Sequence, residues 1–303
     1  MCRALFFLSR CVAFVLLFLV MDDMQRSRLM HLVERMPAFP QSVTRVIDLS
    51  RNIDCQPKEI VRVIEHDPVM TMKLLKLVNS AFYGLPRQIT SINHTVITLG
   101  INTVKNMALS IATIGMIQKR TMAHFDTDQF LLHSLVTADL ARSLALRIDP
   151  ASRDATDHFV AGLLHDFGKI VLMQFETARF AMALSRAHAE NIPLHVAEAL
   201  VFGFDHADVG AMLSEQWQLP TQFVLTIGSH HRATDHSLMA DVHFAANQLS
   251  KYWSLGNSGN PVVDPLPAAV LQRFSLPIPD LAASIGNPEL FAVKAHTIMR
   301  LYS

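Results

Sequence analysis

The chain has 303 residues, 50% of them hydrophobic and 17% charged, a composition that folds around a core and excludes a disordered chain, a rod or a charged tail. Twenty-six basic residues balance twenty-six acidic ones, so the electrostatic footprint of a nucleic-acid binder is missing. Three cysteines, Cys2, Cys11 and Cys55, lack CxxC spacing and support neither a disulfide framework nor a thiolate metal site, which fits a reducing cytoplasm.

Residues 4–21 are apolar apart from Ser9 and Arg10, and Cys11 to Met21 is an unbroken run of eleven. A bilayer span needs about 20 such residues. Arg3 and Arg10 resemble the basic start of a signal sequence, yet no small-x-small cleavage site follows. Three readings stay open for this extension, residues 1–23: a start placed too far upstream, an inner-membrane anchor, and a core helix. The expected location is the cytoplasm, with the inner membrane as the alternative if residues 4–21 are an anchor.

From Gln25 to about Tyr252 apolar residues recur at three and four, which predicts an all-α protein. Pro57 starts a helix ending near Asp67, and Pro68 starts the next. Asp67 reads as its N-cap. Gly100 separates a helix over Ile92 to Leu99 from one over Ile101 to Ile117. Asn79 reads as a buried turn-holding side chain. A polar stretch, Gln118 to Asp128, divides the predicted domain, 25–254, into an N-terminal lobe, 25–118, and a second lobe, 124–254. Six of the fourteen prolines lie beyond Leu255, so 255–303 reads as a loop-rich tail with one closing helix from Pro288 to Leu301. Trp217 reads as an apolar anchor, and the fifteen methionines as core filler.

Eleven of the fifteen histidines fall between His124 and His243. Four local pieces stand out: His133 in an apolar helix; Leu164-His165-Asp166-Phe167-Gly168-Lys169; Asp205-His206 opening a helix stopped by Pro220; and His230-His231. Neutral imidazole is the commonest protein metal ligand, and a neighbouring carboxylate adds the charge that a divalent cation favours. Five imidazoles and Asp166 on four helices are therefore candidate ligands for one or two metals. Each piece also has a simpler reading. His133 alone is a buried core histidine, Asp166 an ion pair with Lys169 at helical spacing, and His230-His231 a helix terminus.

The order His133, His165-Asp166, His206, His230-His231 resembles the HD superfamily of metal-dependent phosphohydrolases, and His165 to Lys169 is similar to the HDxGK element of its HD-GYP branch. Met36-Pro37-Ala38-Phe39-Pro40, Ile64-Glu65-His66-Asp67-Pro68, Asn79-Ser80-Ala81-Phe82-Tyr83-Gly84 and Leu99-Gly100 resemble a more specific relative, the HDOD domain of bacterial signalling proteins, over about Met36 to Asn247. That resemblance implies an all-helical regulatory output domain that often lacks catalytic ligands. This chain keeps more of the HD histidines than many members. It also departs from the catalytic pattern: Gln129 stands where some HD-GYP proteins have a ligating Glu, Asn247 stands where HD enzymes place their last Asp, and no GYP element follows His231.

Two functions follow as expectations. The first is a signal-transduction output module that binds a signalling protein or a ligand, with iron, manganese or zinc bound as one or two ions, or with none. The second is a metal-dependent phosphohydrolase acting on a nucleotide, in which His133, His165, Asp166, His206, His230 and His231 hold the metal and Lys169 meets the substrate phosphate. The missing carboxylates favour the first. Within these residues nothing resembles a receiver, kinase or DNA-binding unit, so the input to an output module would come from a partner protein.

Overall fold

The computed structural model describes residues 21–301 except 53, 153, 232–236 and 261. The apolar segment 4–21 thus lies, but for Met21, outside the described residues. Among the described residues no helix is long and apolar enough to cross a membrane.

The fold is helical, as the periodicity requires. Helices α1 (Asp23–Glu34), α2 (Gln41–Ser50), α3 (Pro57–Glu65), α4 (Pro68–Val78), α5 (Ile92–Leu99) and α6 (Ile101–Gly115) come first. Their starts are chemically marked. Asp67 caps α4 by accepting from Met70 N at 2.9 Å, with Pro68 at the first helical position. Ser91 caps α5 through His94 N at 3.1 Å. Asn79 holds the turn after α4: its amide donates to Leu75 O and Ile89 O, and its carbonyl accepts from Ile89 N, at 2.7–2.8 Å. The residue is exposed rather than buried, because it bridges two backbone segments at the surface.

The polar divider forms a two-residue hairpin, β1 (Thr121–Met122) with β2 (Phe125–Asp126). There follow α7 (Thr127–Ile148), α8 (Ala155–Leu164), α9 (Gly168–Phe175), α10 (Thr177–Glu190), α11 (Leu194–Phe202), α12 (His206–Gln216), α13 (Thr221–Ser229) and α14 (Leu238–Tyr252). The long α7, buried from Phe130 to Ala141, is the spine, packed against α8 and α14.

The tail corrects an expectation. It carries three helices rather than one: α15 (Ala268–Phe274), α16 (Ile278–Ile285) and α17 (Pro288–Met299). Pro267 and Pro277 stand at the starts of α15 and α16, where the missing N–H costs nothing, so these prolines initiate helices instead of preventing them.

One continuous apolar core runs through both lobes. Although α1 comes first in the chain, it packs on α9 and α12 of the histidine-bearing half. Arg28 of α1 pairs there with Glu176 at 2.6 Å. Trp217 is buried against Phe39 and Phe167, and its indole N–H donates to Pro37 O at 3.3 Å, so the Met36 to Pro40 segment is pinned to the second lobe.

Candidate metal centre

Four helices converge their histidines on Asp166. His133 lies mid-way along α7, His165 caps the C-terminus of α8, His206 opens α12 and His230 caps the C-terminus of α13. His206 is placed by the cap before it, where Asp205 accepts from Ala207 N and Asp208 N. Asp166 lies in the α8–α9 corner, and Gly168 makes that corner fit. A Cβ on Gly168 would stand 2.0 Å from His206 O, so only glycine lets α9 approach α12 this closely.

All six predicted ligands come together. Asp166 Oδ1 lies 3.0 Å from His206 Nε2 and 3.3 Å from His230 Nε2; Oδ2 lies 3.3 Å from His165 Nε2 and 3.7 Å from His133 Nε2. His231 Nε2 stands 2.7 Å from His206 Nε2. The candidate ligand atoms form two overlapping sets, Asp166 with His206, His230 and His231, and Asp166 with His133 and His165, each within 4.8 Å. Except for the partly exposed His231, these side chains are at most 3% exposed.

The imidazoles are oriented from behind. His165 Nδ1 faces Gly162 O at 2.7 Å and His230 Nδ1 faces Ile227 O at 2.6 Å, so each donates its N–H to a helix carbonyl and aims an Nε2 lone pair inward. His133 Nδ1 meets Ser250 Oγ at 3.1 Å. His206 Nδ1 bonds to Glu198 Oε2, which also accepts from the His206 backbone N–H at 2.9 Å. This is a carboxylate behind a metal-type histidine, the arrangement that fixes tautomer and raises basicity. Sequence reasoning missed Glu198, fully buried on α11; the available signal was a lone carboxylate in the apolar run Leu194–Phe202. His195 on the same helix stacks on His231 at 4.1 Å.

The inner atoms fit a cation. His133 Nε2, His165 Nε2 and His230 Nε2 are buried without a hydrogen bond, a cost that a coordinated cation would remove. Burial pushes His230 down to about 3 and holds His133 and His231 well below the usual histidine range, so these rings are neutral and ligand-ready at pH 7. His206 moves the other way. Burial opposes its charge, but Glu198 outweighs burial and holds it at about 9. Burial would likewise raise Asp166, yet its neighbours His165 and Lys169 keep its carboxyl well below the usual range.

Three remaining sequence-predicted positions differ. Lys169 points inward, donating to Asp166 Oδ2 at 2.7 Å and Ser258 Oγ at 3.2 Å. The ion-pair reading of Asp166 and Lys169 and the cluster reading therefore coexist. Gln129 is exposed at the start of α7. Asn247 is buried, with Oδ1 unpartnered, one turn before Ser250 and Lys251. The residues just after His231, where a GYP element would stand, lie outside the described residues.

A model of the HDOD domain matches residues 36–233. The chain belongs to the HDOD family. The HDOD match spans both lobes and takes in every ligand of the cluster. An uncharacterized protein of Treponema pallidum is 30% identical over 206 residues, 66% of this chain but 39% of that protein, so the chain spans well under half of this relative. An HDOD domain protein from Geobacter sulfurreducens shares the fold at TM-score 0.72 and 22% identity, over 90% of this chain and 98% of its own. A Shewanella amazonensis protein with a phosphohydrolase name shares it at 0.70 and 22%, over 91% and 98%. A Marinobacter aquaeolei protein named for signal transduction shares it at 0.69 and 22%, over 92% of this chain and 65% of its own.

Proposed function

We propose that this chain is an HDOD signalling output module whose His/Asp cluster holds a divalent metal, iron, manganese or zinc, as a fixed part of its interior, and which acts by binding a signalling protein or ligand without turnover. The observation that carries this reading is the closure of the cluster on its His133 and Lys169 side. Gly256 lies against α7, where a Cβ would stand 2.3 Å from His133 N, and Ser258 bonds Lys169. Gly256 has φ 78°, a left-handed conformation that suits glycine. Asn257 N donates to Gln129 O at 3.1 Å, tying the loop down on the histidine-bearing helix. A substrate nucleotide would have to displace this loop to reach Asp166 from the His133 and Lys169 side.

His133, His165, Asp166, His206, His230 and His231 are the residues that would hold the ion. The Lys169 ammonium is committed to Asp166 and Ser258, which leaves it poorly placed to meet a substrate phosphate. The neutral Asn247 further weakens any anionic ligand set.

A metal-dependent phosphohydrolase is the second reading, favoured by the two ligand sets that share Asp166. A bound divalent ion would supply an activated water and polarise a phosphoryl oxygen. The test is to incubate the full chain, loaded in turn with Fe²⁺, Mn²⁺ and Zn²⁺, with cyclic dinucleotides and nucleotide monoesters. We expect no more product than from Asp166→Asn; turnover that disappears in Asp166→Asn would replace the output reading with the enzymatic one.

A further inference from the structure

We infer that the cleft between the two lobes is a second binding site, shaped for a small organic acid whose carboxylate meets Arg142 and whose single ring or short chain lies against Phe82 and Phe159. This goes beyond the readings above and does not depend on the metal, since no residue of the histidine cluster lines the cleft.

The stretch Asn79 to Gly84 supplies the first wall. Asn79 pins the turn after α4, and Gly84 ends it in the left-handed region at φ 57°. The turn sets Phe82 and Tyr83 side by side, with ring centres 5.1 Å apart at 74°. Phe159 of α8 meets Phe82 edge-on at 5.3 Å. Met107 of α6 and Ile298 of α17 complete the apolar walls, so both lobes and the closing helix border one space. That space measures about 460 Å³ out to its open mouth and is narrow inside, which suits one ring or a short chain and is too tight for a nucleotide.

The charge on the walls selects an anion. Arg142 is the one charged residue among those that line the cleft. Its guanidinium lies 5.7 Å from the centre of the Phe82 ring. The carboxylate it pairs with, Asp139, stands 3.9 Å away and is held closer by Lys294, at 3.1 Å. One carboxylate shared by two cations leaves a net positive charge, and a guanidinium is the group that best takes up a carboxylate. Burial pushes the Tyr83 phenol up, against the nearby Arg142 charge, so it stays a neutral donor. Asn106 adds an open acceptor. Its amide N–H groups are spent on Asp157 at 2.6 Å and Thr156 at 3.0 Å, which fixes the side chain and leaves Oδ1 buried without a hydrogen bond. Such an orphaned acceptor costs stability unless something donates to it, and a hydroxyl on the same acid would do so.

The test is isothermal titration of the full chain with benzoate, 4-hydroxybenzoate and hexanoate, beside the uncharged benzamide. We expect at least one of the three acids to bind at one site per chain. Its binding should weaken about 10-fold or more in Arg142→Gln, the value of a hydrogen bond to a charged group, and about 3-fold in Tyr83→Phe. Benzamide should bind at least about 10-fold more weakly than benzoate, a comparison in the unaltered chain that holds even if Arg142→Gln fails to fold. No binding of any of the three acids would overturn the inference, as would an affinity unchanged in a folded Arg142→Gln or benzamide bound as tightly as benzoate. Binding that disappears in Asp166→Asn and survives in Arg142→Gln would also overturn it, by putting the acid on the histidine cluster while leaving the metal-binding reading intact.

Discussion

The first lobe and the histidine cluster treat polar side chains in opposite ways. In the first lobe polar side chains are mostly closed by neighbours: Asp67 accepts from Met70 N and Ser42 Oγ, Thr71 donates to Ile64 O, and Asn79 makes three bonds to two backbone segments. At its junction with the second lobe, Asp157 accepts from Asn102 and Asn106 of α6. Asn106 Oδ1 and Thr113 Oγ1 are the exceptions there. In the cluster, by contrast, unpartnered atoms converge from different helices on one carboxylate. Polar groups that close locally build structure. Polar groups that are held in place and left open are what a ligand site requires.

Acid should break this contrast most. His230, at about 3 in the fold against about 6.5 in the unfolded chain, stays neutral in the metal-free protein while the unfolded chain takes up a proton. Its contribution is complete above pH 6.5 and is lost as pH falls towards 3, on the order of 4 kcal/mol. Denaturant melts across that window should show the fall, and His230→Asn should flatten it.

Glu198→Gln keeps an acceptor behind His206 and removes only the charge. Metal affinity should drop about 10–100-fold. An unchanged affinity in isothermal titration would take Glu198 out of the site.

Lys251→Met should stabilise the metal-free protein at pH 7 by about 2 kcal/mol, because it replaces with an apolar chain a buried ammonium that makes no hydrogen bond and pairs with Asp264 only at 3.8 Å. Burial holds Lys251 down at about 8 from 10.5, so the unfolded chain binds more protons between those values and the wild type regains stability there. The advantage of the variant should therefore be full below pH 8 and shrink as pH rises to 10.5. In the first lobe the same kind of deletion should have the opposite sign: Asn79→Ala should destabilise by about 1 kcal/mol in chemical denaturation, the value of an ordinary closed polar contact.

Much of this was legible in the sequence because it is local. Pro57 and Pro68 mark helix starts, Asp67 a cap and Gly100 a break, and each needs only its near neighbours. The six candidate ligands could be picked out because their residue types and order carry the resemblance. What stayed hidden depends on tertiary return. Glu198 reaches His206 only because Gly203, at φ 84°, turns α11 back onto α12. Ser258 and Gly256 meet the cluster from a loop far along the chain. The inward aim of Lys169 and the outward position of Gln129 are likewise rotational facts of packed helices. The two tail helices were missed because proline was read as a breaker where it serves as a start.

The most direct test of the metal-binding account is elemental analysis of the full chain purified without chelators, beside Asp166→Asn, an isosteric change that removes the shared anionic ligand. The account predicts stoichiometric iron, manganese or zinc in the unaltered protein and none in the variant, with both folded. Absence of metal from both, or equal metal in both, would contradict it.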